Sequence, residues 1–73
     1  MRAGMTKRQS EALAFIRGYT AERGYSPSYQ EIADALDMAS KSGVYGIVQS
    51  LVFRGLIVMR PGLARSIAIR EGV

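Results

Sequence analysis

Apolar residues recur at intervals of three and four positions along the first third of the chain. They follow Thr6 and Gln9, whose residue types match a helix capping box, and Gly24 supplies a C-terminal stop. The apolar face consists of Ala12, Leu13, Phe15, Ile16 and Tyr19. This pattern predicts an amphipathic helix over residues 7–23.

The middle of the chain carries a short apolar repeat and then a longer one. Ser28 and Glu31 form a second capping box, which predicts a short helix over residues 29–37. Ser40 is a suitable N-cap for a third helix over residues 41–54. The buried stripe of that helix is expected to consist of Val44, Ile47, Val48 and Leu51.

After the third helix the helical spacing gives way to a strand pattern. Residues 66–70 alternate isoleucine with smaller or polar residues, and Pro61 and Gly62 suit the centre of a type II turn. We therefore predict an antiparallel hairpin over residues 56–70. The segment Leu56–Met59 does not alternate, so part of its second face is either covered or available to a partner.

The predicted order of elements is a helix, a short helix, a longer helix and a two-stranded hairpin. A chain of 73 residues has room for one hydrophobic core, and we find no internal repeat. The sequence thus predicts one domain over residues 1–73. Its fold class is mainly α with a small β hairpin, a winged helix-turn-helix in which the antiparallel hairpin is the wing.

The charge balance favours a polyanionic partner. Ten Lys and Arg residues against six Asp and Glu residues give a net charge of +4, although a modest positive charge also serves solubility alone. The chain contains no Cys and no His, so we expect no disulfide, no metal site and no cofactor. No apolar run approaches the span of a bilayer and no secretory signal is evident, which predicts a cytoplasmic protein.

The outward side of the third helix is the predicted reader of base pairs, because an α-helix fits the major groove of DNA. Gln49 can pair with adenine through two hydrogen bonds, and Tyr45 can contact a phosphate, a base acceptor or a thymine methyl group. Small residues that permit close approach are Ser40, Ser42, Gly43 and Gly46. An ordinary solvated helix face is the alternative, but each glycine inside a helix costs about 1 kcal/mol relative to Ala.

Phosphate contacts are predicted on both sides of this helix. The candidates are Lys41, Arg60 and Arg65 near the third helix and the hairpin tip, and Ser28 and Tyr29 at the start of the second helix. Basic hairpin tips also occur on proteins that bind no DNA, so the tip alone is weak evidence. The arginines of the first helix are expected to be solvated or paired with local acids; these are Arg8, Arg17 and Arg23.

Two motifs, Glu-Ile-Ala at 31–33 and Leu-x-x-x-Gly-Leu-Ile at 51–57, resemble the DNA-binding domain of LexA-type repressors, which control the bacterial DNA-damage response. The similarity extends over residues 6–69. It implies sequence-specific binding of double-stranded DNA for transcriptional repression, with base-reading positions at Ser40, Ser42, Gly43, Tyr45 and Gly46. The family typically has acidic residues at the last two positions, so we expect a different operator from the usual one.

The resemblance also bears on partners. Full-length family members carry a self-cleaving second domain, and no self-cleavage is expected of a chain that ends at Val73, whether it is an excised domain or a short regulator. A domain this small normally binds as two copies on a pseudo-palindrome. We predict a weak homodimer through the wing region, where Phe53, Leu63 and Leu56–Met59 offer apolar surface.

Two other function classes compete with DNA binding. One is a winged-helix module that binds a transcription regulator or polymerase through exposed Tyr45 and Phe53, without contacting DNA. The other is an enzyme, which the sequence favours least because its six carboxylates are scattered and no phosphate-binding glycine loop is present. We therefore expect no catalytic residue and no small-molecule substrate.

Overall fold

The computed structural model describes residues 6–60 and 65–70, which form three helices followed by a two-stranded antiparallel hairpin. The elements are α1 (Lys7–Arg23), α2 (Tyr29–Ala35), α3 (Lys41–Phe53), β1 (Ile57–Val58) and β2 (Ala68–Ile69). The predicted fold class is confirmed. The turn predicted at Pro61 and Gly62, together with Leu63, lies outside the described residues.

Both predicted capping boxes are present. At α1, the Thr6 hydroxyl accepts a hydrogen bond from the Gln9 backbone N–H, and the Gln9 side chain accepts one from the Thr6 N–H, each at 3.1 Å. At α2, the reciprocal bonds between Ser28 and Glu31 measure 3.1 and 2.8 Å. Such caps stabilise a helix by about 1 kcal/mol because they satisfy backbone N–H groups that have no partner within the helix.

Two helices end earlier than predicted. Helix α2 stops at Ala35 rather than at residue 37, because Asp37 adopts a left-handed conformation with φ 57°. Helix α3 stops at Phe53, with Arg54 as its C-cap, and Gly55 follows with φ 77°. The end of α1 agrees with the prediction, since Gly24 caps it with φ 82°.

The hairpin has less regular pairing than its predicted length suggests. The antiparallel register pairs Ile57 with Ile69 and Val58 with Ala68. A further backbone bond of 3.0 Å joins the Arg70 N–H to the Leu56 carbonyl. Nearer the tip, the Ser66 hydroxyl accepts from the Arg60 N–H and donates to the Arg60 carbonyl, both at 3.0 Å. A side chain thus replaces strand pairing there.

One core lies between the three helices and the base of the hairpin. Three members of the predicted α3 stripe have 0% exposed area, whereas Ile47 is half-buried. The buried apolar residues are Ala12, Leu13, Ile16, Ile32, Ala33, Leu36, Val44, Val48, Leu51, Ile57 and Ile67. Within residues 6–60 and 65–70, no helix combines the length and the apolar character that crossing a membrane requires.

Candidate nucleic-acid interface

The side of α3 opposite the core is open to solvent. Burial of Val44, Val48 and Leu51 fixes the rotation of the helix, and the residues between them therefore point outward. The exposed residues are Lys41, Ser42, Tyr45, Gly46 and Gln49. The predicted base-reading positions thus share one accessible surface, apart from Gly43, which is half-buried.

The N-terminus of α3 carries two bonded hydroxyl groups. The Ser40 hydroxyl accepts hydrogen bonds from the backbone N–H groups of Ser42 at 3.1 Å and Gly43 at 3.4 Å. The Ser40 and Ser42 hydroxyl oxygens are 2.6 Å apart. This end of the helix has partial positive charge, and because Ser40 accepts two N–H bonds it must donate to Ser42, whose own hydroxyl hydrogen stays available. It can therefore bind acceptor groups of a polyanion.

The two glycines of α3 have different surroundings. A Cβ atom added to Gly46 would have no neighbouring atom within 4 Å, so packing within the described residues does not explain the glycine. A Cβ added to Gly43 would lie 2.7 Å from Met38 Cε, so packing against Met38 explains that glycine. Close approach of a DNA groove at Gly46 and base contact by Gly43 both stay predictions.

A cluster of Tyr29, Tyr45, Gln49 and Met59, here called the Met59 cluster, connects α2, α3 and the hairpin. The rings of Tyr29 and Tyr45 have centroids 6.1 Å apart with planes at 60°. Burial, and then the neighbouring Tyr45, raise the pKa of the Tyr29 phenol. Met59 Sδ accepts hydrogen bonds from Tyr29 Oη at 3.4 Å and from Gln49 Nε2 at 3.6 Å.

Sequence analysis assigned Met59 no individual role. The only available signal was its place in the non-alternating segment Leu56–Met59, which left the direction of its side chain open. Along the sequence, Met59 is 30 positions from Tyr29 and 10 positions from Gln49. The short spacings that relate residues on one face of a helix or strand cannot reveal such contacts. Spatial proximity alone reveals this cluster.

The two arginines that flank the hairpin tip have different environments. Arg60 is exposed, and its side chain makes no hydrogen bond or ion pair with any residue in 6–60 or 65–70. The Arg65 guanidinium donates to both Glu31 carboxylate oxygens at 2.9 and 3.0 Å. It also donates to Tyr19 Oη at 3.2 Å and to the Ser26 carbonyl at 3.0 Å.

The Arg65–Glu31 pair was not predicted. The hydrogen bonds from Arg65 and then the bond from the Ser28 backbone lower the pKa of Glu31 to about 2, and Glu31 in turn raises the pKa of Arg65. Arg65 packs at the α1–α2 corner, and 40% of its side chain is still exposed. Glu31 is bound through Nη1 and Nη2, whereas the Nε–H forms no hydrogen bond with the described residues, so the phosphate contact of Arg65 stays a prediction.

The α1 arginines pair locally, and two have described partners. Arg8 forms an ion pair with Glu11 at 3.7 Å, as expected, and its guanidinium also donates to the Leu36 carbonyl. Arg23 lies over the Tyr19 ring, with its Cζ 4.7 Å from the ring centroid, instead of pairing with an acid. Ser28 and Tyr29, predicted to contact phosphates, already have the cap and cluster contacts described above.

Comparison with known proteins decides the family. The family model for the LexA DNA-binding domain matches residues 2–66, which include all three helices and β1. The LexA repressor of Novosphingobium aromaticivorans is 40% identical over 65 residues, or 89% of this chain. The chain belongs to the LexA DNA-binding domain family. It spans 28% of the length of that repressor, so the match concerns the DNA-binding part of the relative.

Membership of the LexA DNA-binding domain family makes double-stranded DNA the partner of this domain. In a winged helix-turn-helix, the second helix of the motif enters the major groove. Helix α3 holds that place in this chain, and its outward residues are those that the structure leaves accessible. The helix that enters the groove in this fold class is therefore also the helix whose outward side is accessible in this chain.

Proposed function

We propose that this domain represses transcription in the cytoplasm by binding a pseudo-palindromic DNA operator, with α3 in the major groove. The observation that carries the proposal is the polar side of α3, which presents Ser42, Tyr45 and Gln49 to solvent. On the opposite side, Val44, Val48 and Leu51 are fully buried. A helix anchored in this way delivers its outward side chains to a groove without reorganising the core.

Each outward residue has a specific part in this proposal. Gln49 pairs with adenine, whereas Tyr45, 52% exposed, contacts a base edge or the thymine methyl group. Ser40, Ser42, Gly43 and Gly46 allow the backbone of α3 to approach the groove closely. Tyr45 and Gly46 replace the acidic residues typical of the family, so the preferred operator differs from that of typical members.

Phosphate contacts position the domain without reading sequence. Lys41 and Arg60 supply them, since both are exposed. At the start of α2, Ser28 and Tyr29 add a contact through the Tyr29 backbone N–H, because the Ser28 N–H already donates to Glu31. Arg65 contributes indirectly by holding the wing against α2 through Glu31. Arg65 also contacts a phosphate, through the Nε–H that Glu31 does not use.

Selection of bound duplexes from a random pool, followed by sequencing, tests base reading. Gln49→Ala should relax the preference at one base pair and cost about 1 to 3 kcal/mol on the preferred site. Arg60→Ala should weaken binding to all sequences and reduce the salt slope by about one. Arg17→Ala removes the same charge from exposed α1 and serves as the matched control. Equal effects of the α3 and wing substitutions on every sequence would contradict base reading by α3.

Two copies of the domain are proposed to bind one operator, with weak contact through the wing region. Phe53 is 92% exposed and Val58 is 45% exposed, so apolar surface is available beside the hairpin. Sedimentation at increasing concentration should reveal self-association that Phe53→Glu abolishes. A strict monomer at high concentration, with one-to-one binding on a palindromic duplex, would contradict the proposal.

A further inference from the structure

Met59 lies where three parts of the proposed DNA surface meet. It directly follows β1 and precedes Arg60, so its backbone belongs to the wing, while its sulfur contacts side chains of α2 and α3. The side chain is half-buried and packs against the core, so its position is constrained from behind. It is therefore placed to transmit the position of the wing to α3.

The contact with Gln49 restricts an otherwise adaptable side chain. An exposed glutamine on a helix samples several rotamers and two amide orientations. The hydrogen bond from Nε2 to Met59 Sδ fixes where the amide nitrogen lies and therefore where the carbonyl oxygen points. The amide keeps its second N–H and its oxygen, which are the donor and acceptor that a bidentate contact with adenine uses.

Tyr45 is coupled to the same sulfur through one intermediate. The Tyr29 hydroxyl donates to Met59, and the Tyr29 ring packs at an angle against the Tyr45 ring. A tilted aromatic pair has a preferred geometry, so restraint of one ring restrains the other. Both side chains with the reach to contact base edges thus depend on one residue of the wing.

We propose that Met59 is a positioning residue for sequence reading. It holds the Gln49 amide in its base-reading orientation and, through Tyr29, sets the angle of Tyr45. The inference rests on the proposed function, because it assigns an orientation to side chains that read DNA there. Met59 itself contacts no base in this proposal. Its effect is on specificity, whereas Arg60, the next residue, affects affinity for all sequences.

The Met59→Leu substitution distinguishes a positioning role of Met59 from a packing role. Met→Leu conserves the apolar volume of the side chain but removes the sulfur acceptor. Met59→Gln restores an acceptor on a side chain of similar length and is the rescue variant. Arg17→Ala changes an exposed residue of α1, outside the Met59 cluster and outside the proposed DNA and dimer surfaces, and is the control.

The experiment selects duplexes from a random pool with the unmodified domain and with four variants: Gln49→Ala, Met59→Leu, Met59→Gln and Arg17→Ala. Gln49→Ala should identify the base pair that Gln49 reads. Met59→Leu should weaken the preference at that base pair about fivefold, the effect of one neutral hydrogen bond. The salt slope should be unchanged. Met59→Gln should recover part of the preference, and Arg17→Ala should leave it intact.

Failure of the inference and failure of the proposed function give different results. An unchanged Gln49-dependent preference in Met59→Leu overturns the positioning role and leaves DNA reading by α3 intact. A selection in which the unmodified domain and Gln49→Ala prefer the same sequences equally overturns base reading by Gln49, and the positioning role with it.

A measurement without DNA or substitution provides a second test. NMR relaxation of the Gln49 side-chain amide in the unmodified domain should show restricted motion. An order parameter in the flexible range, below about 0.6, would overturn the positioning role even if Met59→Leu failed to fold.

Discussion

Helix α3 and the hairpin supply adjacent parts of the proposed DNA surface, but different forces hold them in place. Helix α3 is anchored by Val44, Val48 and Leu51, all with 0% exposed area. The hairpin adds Ile57 and Ile67 to the core at its base, but its strands have only two residues each, and Arg65 ties it to Glu31 of α2. Apolar burial does not respond to protonation, whereas an exposed ion pair responds to pH and salt.

This difference assigns different tasks to the two regions. Because α3 is part of the core, its outward side chains keep their place whenever the domain is folded. Beyond Ile57 and Ile67, which are buried in the core, the wing is anchored through exposed contacts such as Arg65–Glu31, so its position there can change relative to α3 without unfolding. Substitutions in the α3 stripe should therefore change global stability, and substitutions in the wing anchor should change DNA binding more than stability.

The largest effect is expected from the α3 stripe. Leu51→Ala should lower the free energy of unfolding by about 2 to 5 kcal/mol, because it leaves a cavity at a fully buried site. Phe53→Ala, two residues later and 92% exposed, is the matched control and should change stability by less than about 0.5 kcal/mol. Denaturant unfolding measures both. Similar losses from the two substitutions would show that α3 is oriented differently.

On the outward face of α3, a substitution should raise the stability of the domain and lower its affinity for DNA. Gly46→Ala should raise the free energy of unfolding by about 0.5 to 1 kcal/mol, because the site has open space and alanine favours helix. DNA affinity should fall, since the added methyl group blocks close approach. Gly43→Ala is the control. It should gain less stability, because Met38 Cε must move away from the added methyl group. Unchanged affinity in Gly46→Ala would show that no groove approaches that position.

The sequence predicted α3 well because the information needed is local. Thirteen helical residues contain a complete apolar stripe, and the stripe determines both the buried side and the accessible side. Only the C-terminal end of α3 differed, by one residue, whereas α2 ended two residues early, before the left-handed Asp37. The family model confirmed the resemblance, and its match includes both motifs, in α2 and at the α3–β1 junction.

The contacts of the wing could not be predicted in the same way. Arg65 and Glu31 are 34 positions apart, and each residue alone is indistinguishable from an ordinary charged surface residue. The sequence placed Arg60 and Arg65 in one class because both flank the hairpin tip. Both arginines are exposed, and only the packing of the hairpin on the α1–α2 corner gives Arg65 the side-chain partners that Arg60 lacks among the described residues.

Arg65→Lys should have a smaller effect on stability than either substitution in α3. Lysine retains the charge but cannot donate through a planar fork to both Glu31 oxygens, so the wing is less firmly held. Hydrogen exchange at the Arg70 amide, which bonds to Leu56 in the hairpin, should become faster, while exchange at the Val48 amide in α3 should change little. Equal acceleration at both amides would mean that the anchor stabilises the whole domain.

The smallest effect on stability is expected from lowering the pH. The pKa of Glu31 is lowered from about 4.5 to about 2, so the contribution of its ion pair to stability is complete above pH 4.5 and is lost as the pH falls towards 2. Other carboxylates titrate over the same window, and the informative quantity is therefore the difference between variants. The unfolding free energy of Glu31→Gln should fall less steeply with acid than that of the unmodified domain. Leu51→Ala should retain the full slope, because it removes only apolar contacts. A slope that Glu31→Gln leaves unchanged would mean that the wing is held by packing, as α3 is, and that the contrast between the two regions is wrong.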